Sequence, residues 1–367
     1  MIIGVVGAGR LARMLAQAGL PLGLHFVFLD PTTKACATPL GEYWRGGYND
    51  REYLMRLAER ADVVTYELDD VPEEAIGFLS GRVPLFPDAV SLAISRDRLR
   101  QKIIFRELGI PTPSFVAVDS LVDLRQAVLQ VGFPAVLKTR APDSTKGPVI
   151  LRQPEDIDPA WEQIGGGSLV LEGLMIPQRE MSILGVSGRS GEMAFYPLAE
   201  NTRQGGVLHL SRSRPGDPFQ IQAEAYARRL LDHLDYVGVL ALEFFQVGDN
   251  LFAHEMVPSA HDSGYWTIEG AETSHFENHL RAILGLPLGG TAAMGHAAMV
   301  SVIGRLPDPA QVLAVPGAHL HLYGKEPYPE HKLGHVTLRA QNEQNLNTNL
   351  QRMPTLGQGQ EMAGTAF

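Results

Sequence analysis

The chain has 367 residues, 45% apolar and 20% charged, a globular composition long enough for two or three domains and unlike a disordered polymer. Its formal charge of −10 argues against a general nucleic-acid surface, and no uninterrupted apolar run reaches the roughly 18 residues that a membrane span needs. The single cysteine, Cys36, excludes an intramolecular disulfide and a cysteine-based metal cluster; residues 1–7 show no basic leader, so no signal peptide and a reducing cytoplasm are expected.

Ile2–Val6 reads as a strand, followed by a glycine turn, helical spacing over residues 11–18, and a second strand at 26–29 ending in Asp30. A helix around Arg51–Arg60 and a strand at 62–66 complete a βαβ pattern, which predicts a parallel sheet. Residues 84–87 mark the exit from this region. A charged amphipathic helix over 96–108 ends at Gly109-Ile110-Pro111. A small α/β unit follows, with strands at Phe115–Val118, 135–137 and 168–171 and a helix near 121–130. Beyond it come strands at 181–186 and 193–196, a helix at 223–234, a strand at 237–245 with a hairpin partner, and a helix at 274–284. The expected domains are 1–95, 96–176 and 177–345. The Gln, Asn and Gly content after Val336 makes 346–367 a disordered tail by composition.

Gly7-Ala8-Gly9-Arg10-Leu11-Ala12 fits G-x-G-x-x-A between a strand and a helix, with acidic Asp30 ending the next strand. One reading is an NAD(P) site with pyrophosphate on the helix N-terminus. The other is a tight turn that needs small residues for packing, or one that binds another phosphate.

The hairpin is more specific. Val247 and Leu251 flank Gly248-Asp249-Asn250, a three-residue turn composition. Centred on Asp249, it sets Glu243 opposite Glu255, about 5 Å apart on one face. Two facing carboxylates between apolar stretches call for a cation, and hard oxygen donors suit Mg²⁺ bridging substrate phosphates. The alternative is an exposed pair with an Arg or Lys neighbour. Lys138 ends a buried strand and suits phosphate, whereas Lys102, on the charged helix, reads first as ordinary surface. His319 and His321 alternate on a strand, His331 and His335 fall in a loop, and neither H-E-x-x-H nor G-x-S-x-G occurs.

The lysine strand, small α/β unit and glutamate hairpin, in this order, resemble the ATP-grasp superfamily. That implies an α/β (α+β) fold with a Rossmann-like parallel-sheet N-terminal domain, a small lid domain and a larger C-terminal domain. Further segments narrow the resemblance: Thr65-Tyr66-Glu67, Asp97-Arg98-Leu99 with Lys102, Leu137-Lys138-Thr139-Arg140, and Phe195-Tyr196-Pro197-Leu198 with Glu200-Asn201. With Tyr236-Val237-Gly238-Val239 through Glu243, and Ser263-Gly264-Tyr265-Trp266 through to Leu284, they resemble the N5-carboxyaminoimidazole ribonucleotide synthetase family of purine biosynthesis over roughly residues 1–340.

The resemblance implies a carbon–nitrogen ligase in which ATP phosphorylates bicarbonate to carboxyphosphate and the amine of aminoimidazole ribonucleotide is carboxylated. It implies that Lys102, Lys138, Glu172 and Glu180 bind ATP, and that Glu243 and Glu255 ligate Mg²⁺. Gly9, Arg10, Glu67, Asn201, Lys325 and Lys332 would meet the acceptor nucleotide in place of NAD, with Lys146, His261 and Lys332 as catalytic residues. A homodimer with small-molecule substrates, and neither nucleic acid nor membrane as partner, is implied as well.

Several loops depart from the family pattern. The glycine-rich lid G-G-Y-D-G-K-G is Pro142-Asp143-Ser144-Thr145-Lys146-Gly147 here, shorter of glycine and stiffer. The family's N-E-x-A-P-R-x-H-N-S-G-H runs from His254 to Tyr265, with Ser259 for the arginine, Asp262 for the asparagine and Tyr265 for the last histidine. The G-Q-L-G turn is Gly9-Arg10-Leu11-Ala12, Arg203 replaces a histidine, and only Lys332, Gly334 and His335 remain of a basic R-x-G-R-K-x-G-H run. Beside the family reaction, two readings stay open: a relative with another acceptor or carboxylate, and a non-catalytic binding or partner protein of the same fold.

Overall fold

The computed structural model describes residues 1–67, 71–141 and 146–356. The chain forms two compact units, one of Met1–Ala89, Met181–Ala241 and Val257–Phe367, the other of Val90–Glu180 and Leu242–Met256.

The first unit opens with strands β1 (Ile2–Val6), β2 (His25–Asp30), β3 (Glu42–Arg45) and β4 (Val63–Tyr66). They pair in parallel in the order β3-β2-β1-β4, as the βαβ pattern predicts. Helices Arg10–Gly19 and Arg51–Arg60 return the chain between strands, which parallel pairing requires. The edge strand β3 was not anticipated, because Glu42-Tyr43-Trp44-Arg45 is partly exposed and carries no apolar run.

In the second unit β5 (Phe115–Val118), β6 (Ala135–Thr139), β7 (Val149–Leu151) and β8 (Leu169–Gly173) form an antiparallel sheet ordered β5-β8-β6-β7. Helices Leu121–Val131 and Ile157–Ile164 close a core containing Leu124, Val128, Leu137, Ala160, Ile164 and Leu171. Register fixes what lies on the other face. Leu137 pairs with Leu171 in the core and Lys138 with Val170, so Lys138 and Glu172 become diagonal neighbours on the opposite face.

The remaining strands are β9 (Arg179–Ser187), β10 (Met193–Phe195), β11 (Ala199–Gln204), β12 (Val207–Ser213), β13 (Gly238–Val247), β14 (Asn250–Val257), β15 (His296–Ile303), β16 (Ala318–Leu322) and β17 (Lys332–Ala340). In the first unit they run in the order β13-β9-β11-β12-β15-β17-β16, with β10 beside β9. His335 pairs with His321 on β17, not in a loop as the sequence suggested. Leu333, Val336 and Leu338 are buried along this strand together with His335 and Thr337. A strand covered on both faces shows no polar alternation to read.

Two further expectations change. Glu343–Arg352 is a helix, capped by Asn342, whose side chain accepts from Asn345 N–H at 2.9 Å. Leu346 and Leu356 pack into a core with Val300, Val302, Val336 and Leu338, so the structured chain reaches well into the segment that composition marked as a disordered tail. Residues 357–367 lie outside the described residues. The hairpin turn has two residues, Gly248-Asp249, since Asn250 already belongs to β14.

Candidate functional site

In the second unit, Asp97 caps the helix Arg98–Glu107 by accepting from Leu99 N–H at 2.9 Å and Arg100 N–H at 3.2 Å, and Arg140 clamps its carboxylate at 2.7 Å. Lys102 follows one turn later. It is 1% exposed, which corrects its default reading as surface. Its Nζ lies 3.3 Å from Glu172 Oε2 and donates to Thr112 Oγ1 at 3.2 Å and to the His254 carbonyl at 3.3 Å. Lys138 Nζ reaches the same Glu172 oxygen at 3.2 Å. Burial alone would push the Glu172 carboxyl up, but Lys102 and Lys138 outweigh it and hold it below the ordinary carboxylate range. Burial lowers Lys102 below the usual lysine value, with Glu172 opposing. Lys102 spends its donors on Glu172, Thr112 and His254, whereas Lys138 meets Glu172 from the rim of the pocket, where its remaining donors suit a phosphate. Both lysines meet Glu172 Oε2, and its buried Oε1 makes no hydrogen bond.

Arg98, Gln101, Lys138, Glu172, His254 and Glu255 line one small pocket. With a two-residue turn, plain symmetry would set Glu243 opposite His254 and turn Glu255 to the other face. The strand does not keep plain symmetry. Leu251 and Ala253 are buried and next Met256, so the buried phase moves from odd to even positions while His254 and Glu255 are both half-buried. One extra residue in a strand produces that shift. Phe245 stacks on His254 with ring centroids 4.3 Å apart. Glu255 lines the pocket, whereas Glu243 is not among its lining residues. Glu243 is itself buried at 7% exposure. Among the described residues no group of three or more His, Cys, Asp or Glu could hold a metal ion. A pair of carboxylates fits an ion that takes most of its oxygens from water and phosphate, as Mg²⁺ does.

In the first unit, Glu67 follows β4 and turns its carboxylate onto the N-terminus of the helix Arg10–Gly19. It accepts from Leu11 N–H at 2.7 Å, Ala12 N–H at 3.1 Å and Gly9 N–H. This is where a dinucleotide pyrophosphate would sit, so the position is taken by the chain itself. The glycines are explained by the same contact: a Cβ on Gly7 or Gly9 would come within 2.9 or 2.8 Å of the Glu67 side chain. Asp30 is engaged too, accepting from Ala8 N–H and the Tyr48 hydroxyl, both at 2.9 Å. Burial pushes the Glu67 carboxyl up, with the amides of Gly9, Ala12 and Leu11 opposing. Beside the turn opens a cavity of about 240 Å³ lined by Gly9, Arg10, Asp30, Lys34, Tyr48 and Lys325, among others. Lys34 and Tyr48 were missed, since a lone lysine and a lone tyrosine in a loop carry no spacing signal.

His261 and Lys332 are brought together by Asp262. Asp262 Oδ1 lies 3.3 Å from His261 Nε2, and Oδ2 holds Lys332 Nζ. Burial would raise Asp262, but His261, Lys332 and Arg10 hold it well below the ordinary range. Other matched histidines are structural. Burial pushes His275 down to about 3 and His279 to about 4, and His279 is fixed by Thr65 Oγ1 at 3.1 Å and Val239 N–H at 3.2 Å.

The remaining candidates stand apart. Asn201 is buried and donates to Ser182 Oγ at 3.0 Å; it does not line the cavity. Lys146 belongs to the second unit, exposed at an open groove with Arg96, Arg140 and Gly166. Glu180 is half-buried near the start of β9. The lid residues 142–145, including Asp143, lie outside the described residues.

Three family models match the chain: a ribonucleotide synthetase preATP-grasp domain over residues 1–96, an ATP-grasp domain over 103–276, and a phosphoribosylaminoimidazole carboxylase C-terminal domain over 297–349. An N5-carboxyaminoimidazole ribonucleotide synthase of Pseudomonas aeruginosa is 50% identical over 97% of this chain and 99% of its own. The crystal structure of an N5-carboxyaminoimidazole ribonucleotide synthetase from Thermus thermophilus superposes with a TM-score of 0.94 at 52% identity, covering 98% of this chain and 99% of the other. An ADP complex of another such synthetase matches with a TM-score of 0.89 at 32% identity over 96% and 94% of the two chains.

Proposed function

The chain belongs to the N5-carboxyaminoimidazole ribonucleotide synthase family, and from that premise we propose that it joins bicarbonate to the exocyclic amine of 5-aminoimidazole ribonucleotide at the expense of ATP. The observation that carries the reading is the buried Lys102–Glu172–Lys138 group, whose Lys138 and Glu172 line one pocket with Glu255.

A bicarbonate oxygen attacks the γ-phosphorus of ATP and the bond to the bridging oxygen of ADP breaks, giving carboxyphosphate. The acceptor amine then attacks the carboxyl carbon, or CO₂ released from it; the bond to phosphate breaks and the nitrogen loses a proton. Lys102 and Lys138 hold the nucleotide phosphates, fixed in place by Glu172. Glu243 and Glu255 would hold Mg²⁺, which supplies neutralisation of charge on the transferring phosphoryl group. The cavity with Arg10, Lys34 and Lys325 takes the acceptor's phosphate and ribose, and His261 with Lys332 meets the carboxyl group that is transferred. Glu67 shapes the cavity by closing the helix N-terminus, which leaves no seat for NAD.

A cytoplasmic homodimer is part of the proposal. The dimer rests on family resemblance alone. No helix among the described residues is long and apolar enough to cross a membrane.

ADP release with Mg²⁺-ATP and bicarbonate, with and without aminoimidazole ribonucleotide, tests the reading, and Glu255→Gln is the control. Acceptor-dependent turnover that the substitution abolishes is expected. ATP binding without acceptor dependence would point to a different acceptor, and absence of ATP binding to a non-catalytic protein.

A further inference from the structure

Lys325, which lines the acceptor cavity, stands on the hairpin loop that joins β16 to β17. Residues 324–331 of that loop are all exposed, and only Tyr323 at its root is buried, at 2% exposure. β16 is the edge strand of its sheet, with β17 as its neighbour. An exposed loop at a sheet edge has few buried contacts of its own to fix it, so its root must set where Lys325 stands.

Two contacts tie that root. Tyr323 N–H donates to the Leu333 carbonyl at 2.9 Å, and the Tyr323 hydroxyl lies 2.8 Å from His335 Nδ1. His335 is held in turn. Directly across the strand pair stands His321, the two rings stacked 4.5 Å apart and 7° from parallel. His321 Nε2 lies 2.9 Å from Glu269 Oε1, and Glu269 Oε2 accepts from Thr337 Oγ1. Burial pushes the Tyr323 hydroxyl up and His335 down, so the phenol keeps its proton and the imidazole stays neutral. Tyr323 does not line the cavity itself. Its ring belongs to the core that contains Leu11 and Cys36, both of which do line it. The ring therefore fills space under the cavity, and the hydroxyl fixes the direction in which the loop leaves the sheet.

We propose that Tyr323, clamped by His335, is a positioning residue that sets Lys325 in the acceptor cavity. The inference rests on the ligase reading above, in which that cavity takes the acceptor's phosphate and ribose. A phenylalanine at position 323 would keep the packing and lose only the contact to His335, so the two roles of the side chain are separable.

The test uses the full chain with Tyr323→Phe, Lys325→Met and the double variant. Equilibrium binding gives the Kd for aminoimidazole ribonucleotide and for Mg²⁺-ATP. Tyr323→Phe is expected to raise the acceptor Kd about three- to tenfold, as far as one lost hydrogen bond reaches, with the Kd for ATP within about twofold. In the Lys325→Met background the same substitution should change the acceptor Kd by less than about twofold, because the group it positions is gone. A merely structural residue would lower the melting temperature and leave both Kd values of the folded protein unaltered. That result overturns the proposal, as does an equal loss in the two backgrounds. Should Tyr323→Phe not fold, His335→Gln removes the same contact from the other side and is read in its place. A parent that does not bind aminoimidazole ribonucleotide defeats the acceptor reading instead. Tryptic cleavage after Lys325 still judges the anchor, since cutting a loop requires its local opening. A rate in Tyr323→Phe about threefold or more above the parent is expected, and an unchanged rate overturns the proposal.

Discussion

Glu172 stands between two lysines with its side chain 2% exposed, and the cost of losing its charge is predictable. Removing one partner of a buried ion pair leaves the other charge uncompensated, which costs about 3–5 kcal/mol. Glu172→Gln should therefore lower stability by about that amount in urea melts, more than a surface ion pair would. It should also weaken ATP binding, because Lys102 would lose the anion that keeps it charged. The pH dependence has a definite sign. Glu172 and Asp262 both titrate lower in the folded chain than an ordinary carboxyl. On acidification the unfolded chain takes up protons first, so their contribution is complete above about pH 5 and is lost as the pH falls below about 4 toward the depressed folded values. Glu172→Gln should flatten the fall in stability across that acid window relative to the parent. Lys102 shows why this residue scale was only half legible. Its helix carries four other charged residues, and nothing local says that one lysine turns inward to meet a glutamate far along the chain.

At the scale of elements, the strand–turn–helix at the N-terminus was read correctly as a shape and left open as a function. The spacing of Gly7 and Gly9 demands a close approach, but sequence cannot say what approaches. The approaching group is Glu67, from the end of β4. A methyl group on Gly9 would lie 2.8 Å from its carboxylate, so Gly9→Ala must either displace Glu67 or strain the turn. Overpacking of this kind costs about 1–3 kcal/mol. Thermal melts should show the loss together with a raised KM for the acceptor, and NAD should not protect either protein. The helix Glu343–Arg352 illustrates the opposite failure. Its composition is polar, yet Leu346 is 1% exposed against β15 and β17. Leu346→Ala should cost about 2–5 kcal/mol, whereas a disordered tail would register no change. The hairpin falls between these cases. Turn composition located it, but two residues or three decide the facing of every side chain, and the turn has two.

For the whole molecule, the order of elements was legible because periodicity and glycine placement are local signals. Site candidates could be nominated only where a local run of residues or the family resemblance marked them. Lys138 and the Glu243–Glu255 hairpin stood out; Lys34, Tyr48 and the Asp262 contacts did not, since each depends on chain segments meeting in space. The resulting division assigns the nucleotide phosphates to residues of the unit Val90–Glu180 with Leu242–Met256, and the acceptor to residues of the other unit. The assignment predicts a double dissociation. Lys138→Met removes an ammonium from the phosphate group and should raise the KM for ATP by about 10- to 100-fold, the range expected for a lost charge-assisted contact of about 1.5–3 kcal/mol. It should leave the Kd for aminoimidazole ribonucleotide within about twofold, because no group lining that cavity changes. Lys325→Met should do the reverse, raising the acceptor Kd and leaving ATP binding unaltered. Equilibrium binding of each ligand to both variants is the measurement, performed at two salt concentrations. The acceptor cavity is the more open to solvent of the two sites, since Lys34 and Lys325 are exposed while Lys102 and Glu172 are buried. Salt should therefore weaken acceptor binding more than nucleotide binding. If each lysine substitution weakened both ligands equally, the assignment of the two sites to separate sets of residues would fail, even with the overall reaction intact.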